Sequence, residues 1–68
     1  MATGVVRFYN DLKGFGLITP DVAGPTLFAH KASIRSPGVT KLKATQRVEF
    51  AIEDRADGPI ASNIRVLA

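Results

Sequence analysis

A cation, two glycines and an aromatic ring lie close together in residues 13–18, which read Lys-Gly-Phe-Gly-Leu-Ile. The Phe15 ring offers a flat surface, Lys13 offers positive charge, and glycines without side chains allow another backbone to come near. Such a combination suits a nucleic acid strand, because bases stack on aromatic rings and phosphates attract cations. A hairpin turn with its phenylalanine in the core has the same composition, so the segment alone leaves both interpretations open.

The alternation of side chains in two short runs indicates which way the rings point. Successive side chains of a strand face opposite sides, so the core-facing side can carry Ile18 in one run and Leu27 with Ala29 in the next. The opposite sides then form one exposed surface with rings and flanking cations, namely Lys13, Phe15, Phe28, His30 and Lys31. Exposed aromatic side chains among lysines are typical of a nucleic-acid-binding surface.

The run that precedes these two is ambiguous. Its aromatic residues, Phe8 and Tyr9, are adjacent and therefore fall on opposite sides of a regular strand. Alternation does not decide which ring faces the core, and a strongly coiled first strand in a small barrel can contribute to both faces.

The elements that position these residues are short strands. Glycine and proline divide the chain into pieces too short for packed helices, and the intervals predict strands over residues 4–10, 15–19, 26–30 and 47–53 and a closing run after Asp57-Gly58. Alternation predicts inward side chains at Val48, Phe50 and Ile52 in the fourth strand. In the closing run it places Ile60, Ile64 and Val66 on one face.

The remaining connection, residues 31–45, contains a predicted helical turn over residues 32–35 and a break in regular structure at Ser36-Pro37-Gly38. Five strands in a chain of 68 residues predict an all-β fold, with one domain over residues 1–68. We expect these strands to close into a small barrel, because closure removes the unpaired sheet edges that invite aggregation.

Composition limits the kinds of site available. The chain has no cysteine and a single histidine, so disulfides and thiolate metal sites are excluded and neither a metal nor a cofactor is expected. A net charge of +3 is a modest excess that favours a polyanionic partner without requiring one. No run approaches the roughly 18 apolar residues of a membrane span, and the first residues lack a signal-peptide block, so we expect a cytoplasmic protein without membrane association.

Several segments, in order and spacing, resemble the cold shock domain family. They are residues 13–18, the Leu-Phe-Ala-His of residues 27–30, the Val-Arg-Phe-Tyr-Asn of residues 6–10, and Gly58-Pro59 followed by the Ala-Ser-Asn-Ile of residues 61–64. The resemblance covers nearly the whole chain and implies a small five-stranded antiparallel OB-fold barrel. It also implies that Phe8 faces outward and Tyr9 inward or to the periphery. The nucleic-acid-binding residues that it implies are Arg7, Phe8, Lys13, Phe15, Leu17, Phe28, His30 and Lys31.

The resemblance further implies a function. A protein of this family is expected to bind single-stranded RNA and DNA with low sequence specificity and to perform no enzymatic step on a small-molecule substrate. The cellular roles that follow are those of an RNA chaperone and a modulator of transcription and translation in a cold-shock-type stress response.

Four positions depart from the family's usual pattern. Phe8 stands where tryptophan is typical, and aromatic residues are common at the positions of Leu17, Lys31 and Val39. A base stacked on an aromatic ring is worth roughly 1–3 kcal/mol, so the stacking surface is expected to bind less strongly than usual. Lys31 adds attraction to phosphate, and we therefore expect binding that is unusually sensitive to salt.

Other function classes fit the sequence less well. An RNA recognition motif needs two amphipathic helices, for which no window shows the apolar period. A hydrolase has little to use, because His30 is the sole imidazole and Ser33 has no evident orienting carboxylate. No GxxxxGK[ST] phosphate loop occurs, so nucleotide hydrolysis is not expected.

A small SH3-like barrel that binds proteins stays open as the alternative function. A closed barrel without a further apolar patch predicts a monomer.

Overall fold

The computed structural model describes residues 2–36, 38–39 and 41–67. Its elements in chain order are β1 (Ala2–Asn10), β2 (Phe15–Pro20), β3 (Leu27–His30), a 3-10 turn (Lys31–Ser33), β4 (Arg47–Arg55) and β5 (Gly58–Val66). The strands form a closed barrel in the order β1-β2-β3-β5-β4. Neighbouring strands are antiparallel except β3 and β5, which make one parallel contact between Phe28 and Ile60. The all-β fold and the OB-type barrel are confirmed.

Apolar side chains from all five strands fill the barrel. The buried ones are Val6, Ile18, Leu27, Ala29, Leu42, Val48, Phe50, Ala61 and Ile64. Alternation predicted the inward direction correctly in β2, in β3 and at the beginning of β4. Leu42, which the sequence did not single out, comes from the long connection and is only 3% exposed, so it anchors that connection to the core.

The β4–β5 hairpin departs from regular alternation. Ile52 was predicted to point inward but is 54% exposed, because β1 pairs with β4 only as far as Ala2 opposite Phe50 in the described residues. In β5 the buried residues are Ala61 and Ile64, three positions apart. The pairing shifts between Glu49 and Ala51, and Asn63 has a φ of 48°. Of the three residues that alternation places on one face, Ile64 is buried and Val66 packs against the core, whereas Ile60 is half-buried and outside the core cluster. Regular alternation therefore does not extend over the whole closing run.

The helical turn begins one residue earlier than predicted. It spans Lys31–Ser33 and is preceded by His30, whose Nδ1 accepts a hydrogen bond of 3.0 Å from the Ala32 amide. Pro37, part of the predicted break in structure, lies outside the described residues. In the part of the chain that the structure describes, no helix is long and apolar enough to cross a membrane.

Candidate nucleic-acid interface

Three strands bring four aromatic side chains into one row on the outer surface. Phe15 and Phe28 are near-parallel, with ring centroids 5.5 Å apart and an interplanar angle of 20°. Phe28 and His30 follow at 6.5 Å and 28°, and Phe8 meets Phe15 edge-on at 6.5 Å and 78°. We call Phe8, Phe15, Phe28 and His30 the aromatic row. Phe8 and Phe28 are each 40% exposed, so flat faces of the row are accessible to a ligand.

Strand register explains why these rings meet. Phe15 on β2 lies opposite His30 on β3, and Phe28 is its diagonal neighbour on the same face. Diagonal neighbours across a sheet are within reach of one another when the side chains are aromatic. Leu17 lies opposite Phe8 on one side and Phe28 on the other and is half-buried. It therefore occupies the centre of the surface with an aliphatic contact instead of a ring.

An irregularity in β1 decides between Phe8 and Tyr9. The pairing with β2 shifts between Val6 and Phe8, so that Arg7 is an additional residue and both Arg7 and Phe8 are exposed. Tyr9 then packs against the core. Burial, and to a lesser extent the charge of Asp11, raise the pKa of the Tyr9 hydroxyl. A bulge of this kind re-aims a side chain, and here it adds the Phe8 ring to the aromatic row.

Two of the glycines, both in residues 13–18, lie close to other parts of the protein. A Cβ atom at Gly16 would clash with the Phe8 carbonyl oxygen and come within 2.9 Å of the Tyr9 ring. At Gly14, where φ is +72°, a Cβ atom would come within 2.8 Å of Cδ of Lys31. The protein's own β1 and the Lys31 side chain thus fill the space above these glycines. At Gly16 the idea that a missing side chain leaves room for a ligand backbone was wrong, because β1 backbone occupies that space. At Gly14 the neighbouring atoms belong to the exposed Lys31 side chain, so the idea stays a prediction there.

The cations beside the row are held at its edge by the β1–β2 turn. The Lys13 amide donates a hydrogen bond to the Asn10 side-chain oxygen at 3.0 Å, and the Gly14 amide donates to the Asn10 carbonyl at 2.8 Å. Lys31 donates from its amide to the Gly14 carbonyl at 2.9 Å, so its side chain begins beside the same turn. Lys13 and Lys31 are both exposed and can approach a phosphate.

The ion pairs of the described residues use other cations. They join Lys41 to Asp11, Arg47 to Asp21 and Arg55 to Glu53. Arg7, Lys13 and Lys31 take part in none of these pairs. Their charge near the aromatic row is therefore not cancelled by a carboxylate in direct contact.

A cleft of about 580 Å³ adjoins the row and was missed by sequence reasoning. The β4–β5 hairpin forms its far wall, because β3 and β5 are neighbours in the barrel although they are distant in sequence. Its lining includes Phe28, His30, Ser33, Arg55, Asp57, Gly58, Pro59 and Ile60. No local pattern in the hairpin could have identified this proximity, since it depends on barrel closure.

The described residues do not form a cluster of metal-binding side chains. Within the ranges that the structure covers, no group of three or more histidine, cysteine or acidic side chains is placed to hold an ion.

Val39, one of the positions that depart from the family pattern, is half-buried in the long connection, where its amide donates to the Ser36 carbonyl at 3.1 Å.

Comparison with known proteins matches residues 2–67 to the 'Cold-shock' DNA-binding domain. The chain is 43% identical over 67 residues to the cold shock-like protein CspA of Bordetella pertussis, covering 98% of this chain and 100% of that protein. It is 45% identical over 65 residues to the cold shock protein CspV of Vibrio cholerae, with 96% and 93% covered. Glycine-rich protein 2 of Nicotiana sylvestris is 47% identical over 57 residues, which are 84% of this chain and 27% of that protein. The chain therefore belongs to the cold shock domain family, whose members bind nucleic acids.

Proposed function

We propose that the protein binds single-stranded RNA and DNA with little sequence preference, by stacking bases on the aromatic row. The observation that carries this proposal is the exposed row itself, in which Phe15 and Phe28 lie 5.5 Å apart and nearly parallel. Stacking on a phenylalanine discriminates little between bases, because every base has a π-face. Arg7, Lys13 and Lys31 bind the phosphates that accompany the stacked bases.

The same geometry favours open strands over paired ones. A base stacked on Phe15 or Phe28 has left its neighbours in the strand, and a base inside a duplex cannot present a face to these rings. Each bound protein thus shifts the equilibrium of a hairpin toward the unpaired strand by mass action. An RNA chaperone that influences transcription and translation in a cold-shock-type response works in this way.

Charge carries an unusually large share of the binding free energy. Leu17 and Lys31 replace rings on the surface, whereas the cations beside it have no ion-pair partner among the described residues. With about three or four phosphates neutralised, the slope of log K against log salt for a single strand is about −2 to −3.

The contacts of His30, the single histidine, suit a role in binding rather than in catalysis. His30 Nδ1 accepts a hydrogen bond from the Ala32 amide, which fixes the ring plane beside Phe28. Its hydrogen-bond partner is backbone and not the hydroxyl or carboxylate that a catalytic pair would use. Membership of the cold shock domain family also argues against the SH3-like alternative.

The test is an anisotropy titration of labelled oligothymidine, its RNA counterpart, and a hairpin duplex of matched length at several salt concentrations. We expect both single strands to bind more tightly than the duplex, with the slope given above. A preference for the duplex would contradict the stacking proposal. A flat response to salt would contradict the proposed share of charge while leaving stacking intact.

A further inference from the structure

A second groove, of about 600 Å³, lies at the end of the barrel where β2 ends and the β2–β3 loop faces the outer half of β4. Its walls are mostly aliphatic and include Pro20, Val22, Ala23, Pro25, Ile52 and Asp54. Val22 is 81% exposed and Ile52 is 54% exposed. We call this the aliphatic groove. It is an apolar patch of the kind that the sequence did not predict.

The groove forms because the apolar face of β4 extends beyond the part of β4 that pairs with β1 among the described residues. Ile52 continues the alternation of Val48 and Phe50, both buried, yet the pairing of β1 with β4 stops opposite Phe50 in the described chain. Leu27, which is 1% exposed, belongs both to the core and to the groove lining. An apolar side chain that entered here would therefore contact the hydrophobic core itself.

The open side of β4 favours an extended occupant. Residues 52–55 pair with β5 alone among the described strands, whereas the beginning of β4 also pairs with β1. A strand edge of this kind offers backbone amides and carbonyls to an added strand, whose alternate side chains can enter an adjacent pocket. The groove runs beside this edge, since Ile52 and Asp54 line it.

Charge indicates which extended chain fits. Asp54 is the only charged residue among the described residues of the lining, and it takes part in none of the ion pairs found there. A nucleic acid would bring phosphate toward this carboxylate, and a second copy docked groove to groove would bring another Asp54. A polypeptide with a lysine or arginine beside its aliphatic residues is the complementary occupant.

We propose that the aliphatic groove is a docking site for an extended aliphatic and basic segment of a protein partner. The segment adds to the side of β4 residues 52–55 that faces no other described strand, places small branched side chains over Leu27 and Ile52, and pairs a cation with Asp54. Of the described residues, only Pro59 lines both this groove and the cleft beside the aromatic row. A nucleic acid and a partner protein can thus be bound at the same time.

The test uses a synthetic peptide, acetyl-Thr-Val-Ile-Val-Lys-Thr-amide, and a twin with glutamate in place of lysine. Amide NMR shifts of the ¹⁵N-labelled protein report the binding site. We expect the basic peptide to shift the signals of Val22, Ala23, Ile52 and Asp54, and the acidic twin to bind about fivefold or more weakly. The variant Asp54→Lys should reverse this preference.

Two further variants separate binding from folding. Val22→Ser changes a side chain that is 81% exposed in a loop, so it should keep the melting temperature while weakening the peptide titration. Ile52→Thr keeps the β-branched shape that suits a strand, and it should weaken the same titration with only a small change in melting temperature. Their affinity for oligothymidine should be unchanged. If oligothymidine binding failed in the unmodified protein, the proposed function would be wrong and the peptide result would stand separately.

Several outcomes would overturn the docking proposal. Equal affinity for both peptides, or no shifts at millimolar peptide, would show that the groove does not select an aliphatic and basic chain. Groove signals that move with protein concentration alone would assign it to a second copy. Groove signals that move with oligothymidine would assign it to nucleic acid.

Discussion

The aromatic row differs in its use of positive charge from the region where Thr3, Asp21 and Arg47 meet, which we call the base of the barrel. Beside the row, Arg7, Lys13 and Lys31 take part in none of the ion pairs of the described residues. At the beginning of β4, both Asp21 carboxylate oxygens accept hydrogen bonds from Arg47, each at 2.7 Å. A cation of the second kind stabilises contacts between strands and is unavailable to a ligand. The ion pairs of the described residues also leave out Arg35, Lys43 and Arg65, so the absence of an ion pair alone does not mark a binding surface. What distinguishes Lys13 and Lys31 is their position beside exposed rings, which is where the proposed interface places a polyanion.

Hydrogen bonds to Asp21 connect three strands at the base of the barrel. Besides those from Arg47, Asp21 accepts a hydrogen bond of 2.7 Å from the Thr3 hydroxyl, so one carboxylate joins β1, the end of β2 and β4. The hydrogen bond from Arg47, followed by that from Thr3, lowers the pKa of Asp21 to about 2. Among the residues that the structure describes, the side chains of the aromatic row make one hydrogen bond, which His30 Nδ1 accepts from the Ala32 amide. Their exposed faces are accessible for contacts with other molecules.

The largest expected effect comes from removing rings. Replacing both Phe15 and Phe28 by alanine should weaken binding of oligothymidine by about 2–6 kcal/mol, because each ring stacks one base. Anisotropy measures the affinity and a thermal melt measures the fold. We expect the protein to stay folded, since both rings lie on the outer surface. Unfolding of the double variant would show that these rings belong to the core and would remove the contrast between the two regions.

The variant Gly16→Ala tests whether glycine in this segment serves packing. A Cβ atom there meets the Phe8 carbonyl and the Tyr9 ring, so the free energy of unfolding should fall by about 1–3 kcal/mol. Gly24→Ala is the matched control, because its nearest neighbour would be the Val22 carbonyl oxygen at 3.8 Å. Denaturant melts compare the two variants. Lost affinity at unchanged stability in Gly16→Ala would favour the ligand-approach interpretation instead.

A smaller effect is expected at Lys31. The variant Lys31→Gln should make the slope of log K against log salt less steep by about 0.7, the value for one phosphate contact on a single strand. Lys43→Gln is the matched control, because Lys43 is exposed in the long connection and lies outside the proposed interface. Titrations at several salt concentrations give both slopes. Equal changes in the two variants would mean that Lys31 acts only through net charge.

The smallest effect on binding is expected at the base of the barrel. Because the folded-state pKa of Asp21 lies below the ordinary value of 3.8, its contribution to stability is present above about pH 4 and is lost as pH falls toward 2. Asp21→Asn should lower stability at neutral pH and remove this part of the acid dependence. Denaturant melts between pH 2 and 7 measure it. A change in oligothymidine affinity at neutral pH would contradict the separation of the two regions.

Sequence reasoning was most successful where alternation is regular. In β2 and β3, the inward residues Ile18, Leu27 and Ala29 follow directly from a period of two. Where strand pairing is irregular, alternation left Phe8 and Tyr9 undecided in β1 and did not account for Ile60 in β5. The shift near Arg7 in β1 and the shift between Glu49 and Ala51 change which side chains share a face, and neither leaves a sign in the hydrophobic pattern.

By itself the sequence determined the all-β class, the resemblance to the cold shock domain family and the inward faces of the two central strands, because these depend on residue types and local periodicity. The resemblance also implied that Phe8 faces outward and Tyr9 inward or to the periphery, and the structure agrees, with Phe8 40% exposed and Tyr9 packed against the core. Only the tertiary structure decided that Gly16 is covered by β1 and that Ile52 is exposed. Each of these depends on which strands lie side by side and where their pairing stops. Those relations arise from barrel closure between segments that are distant in sequence.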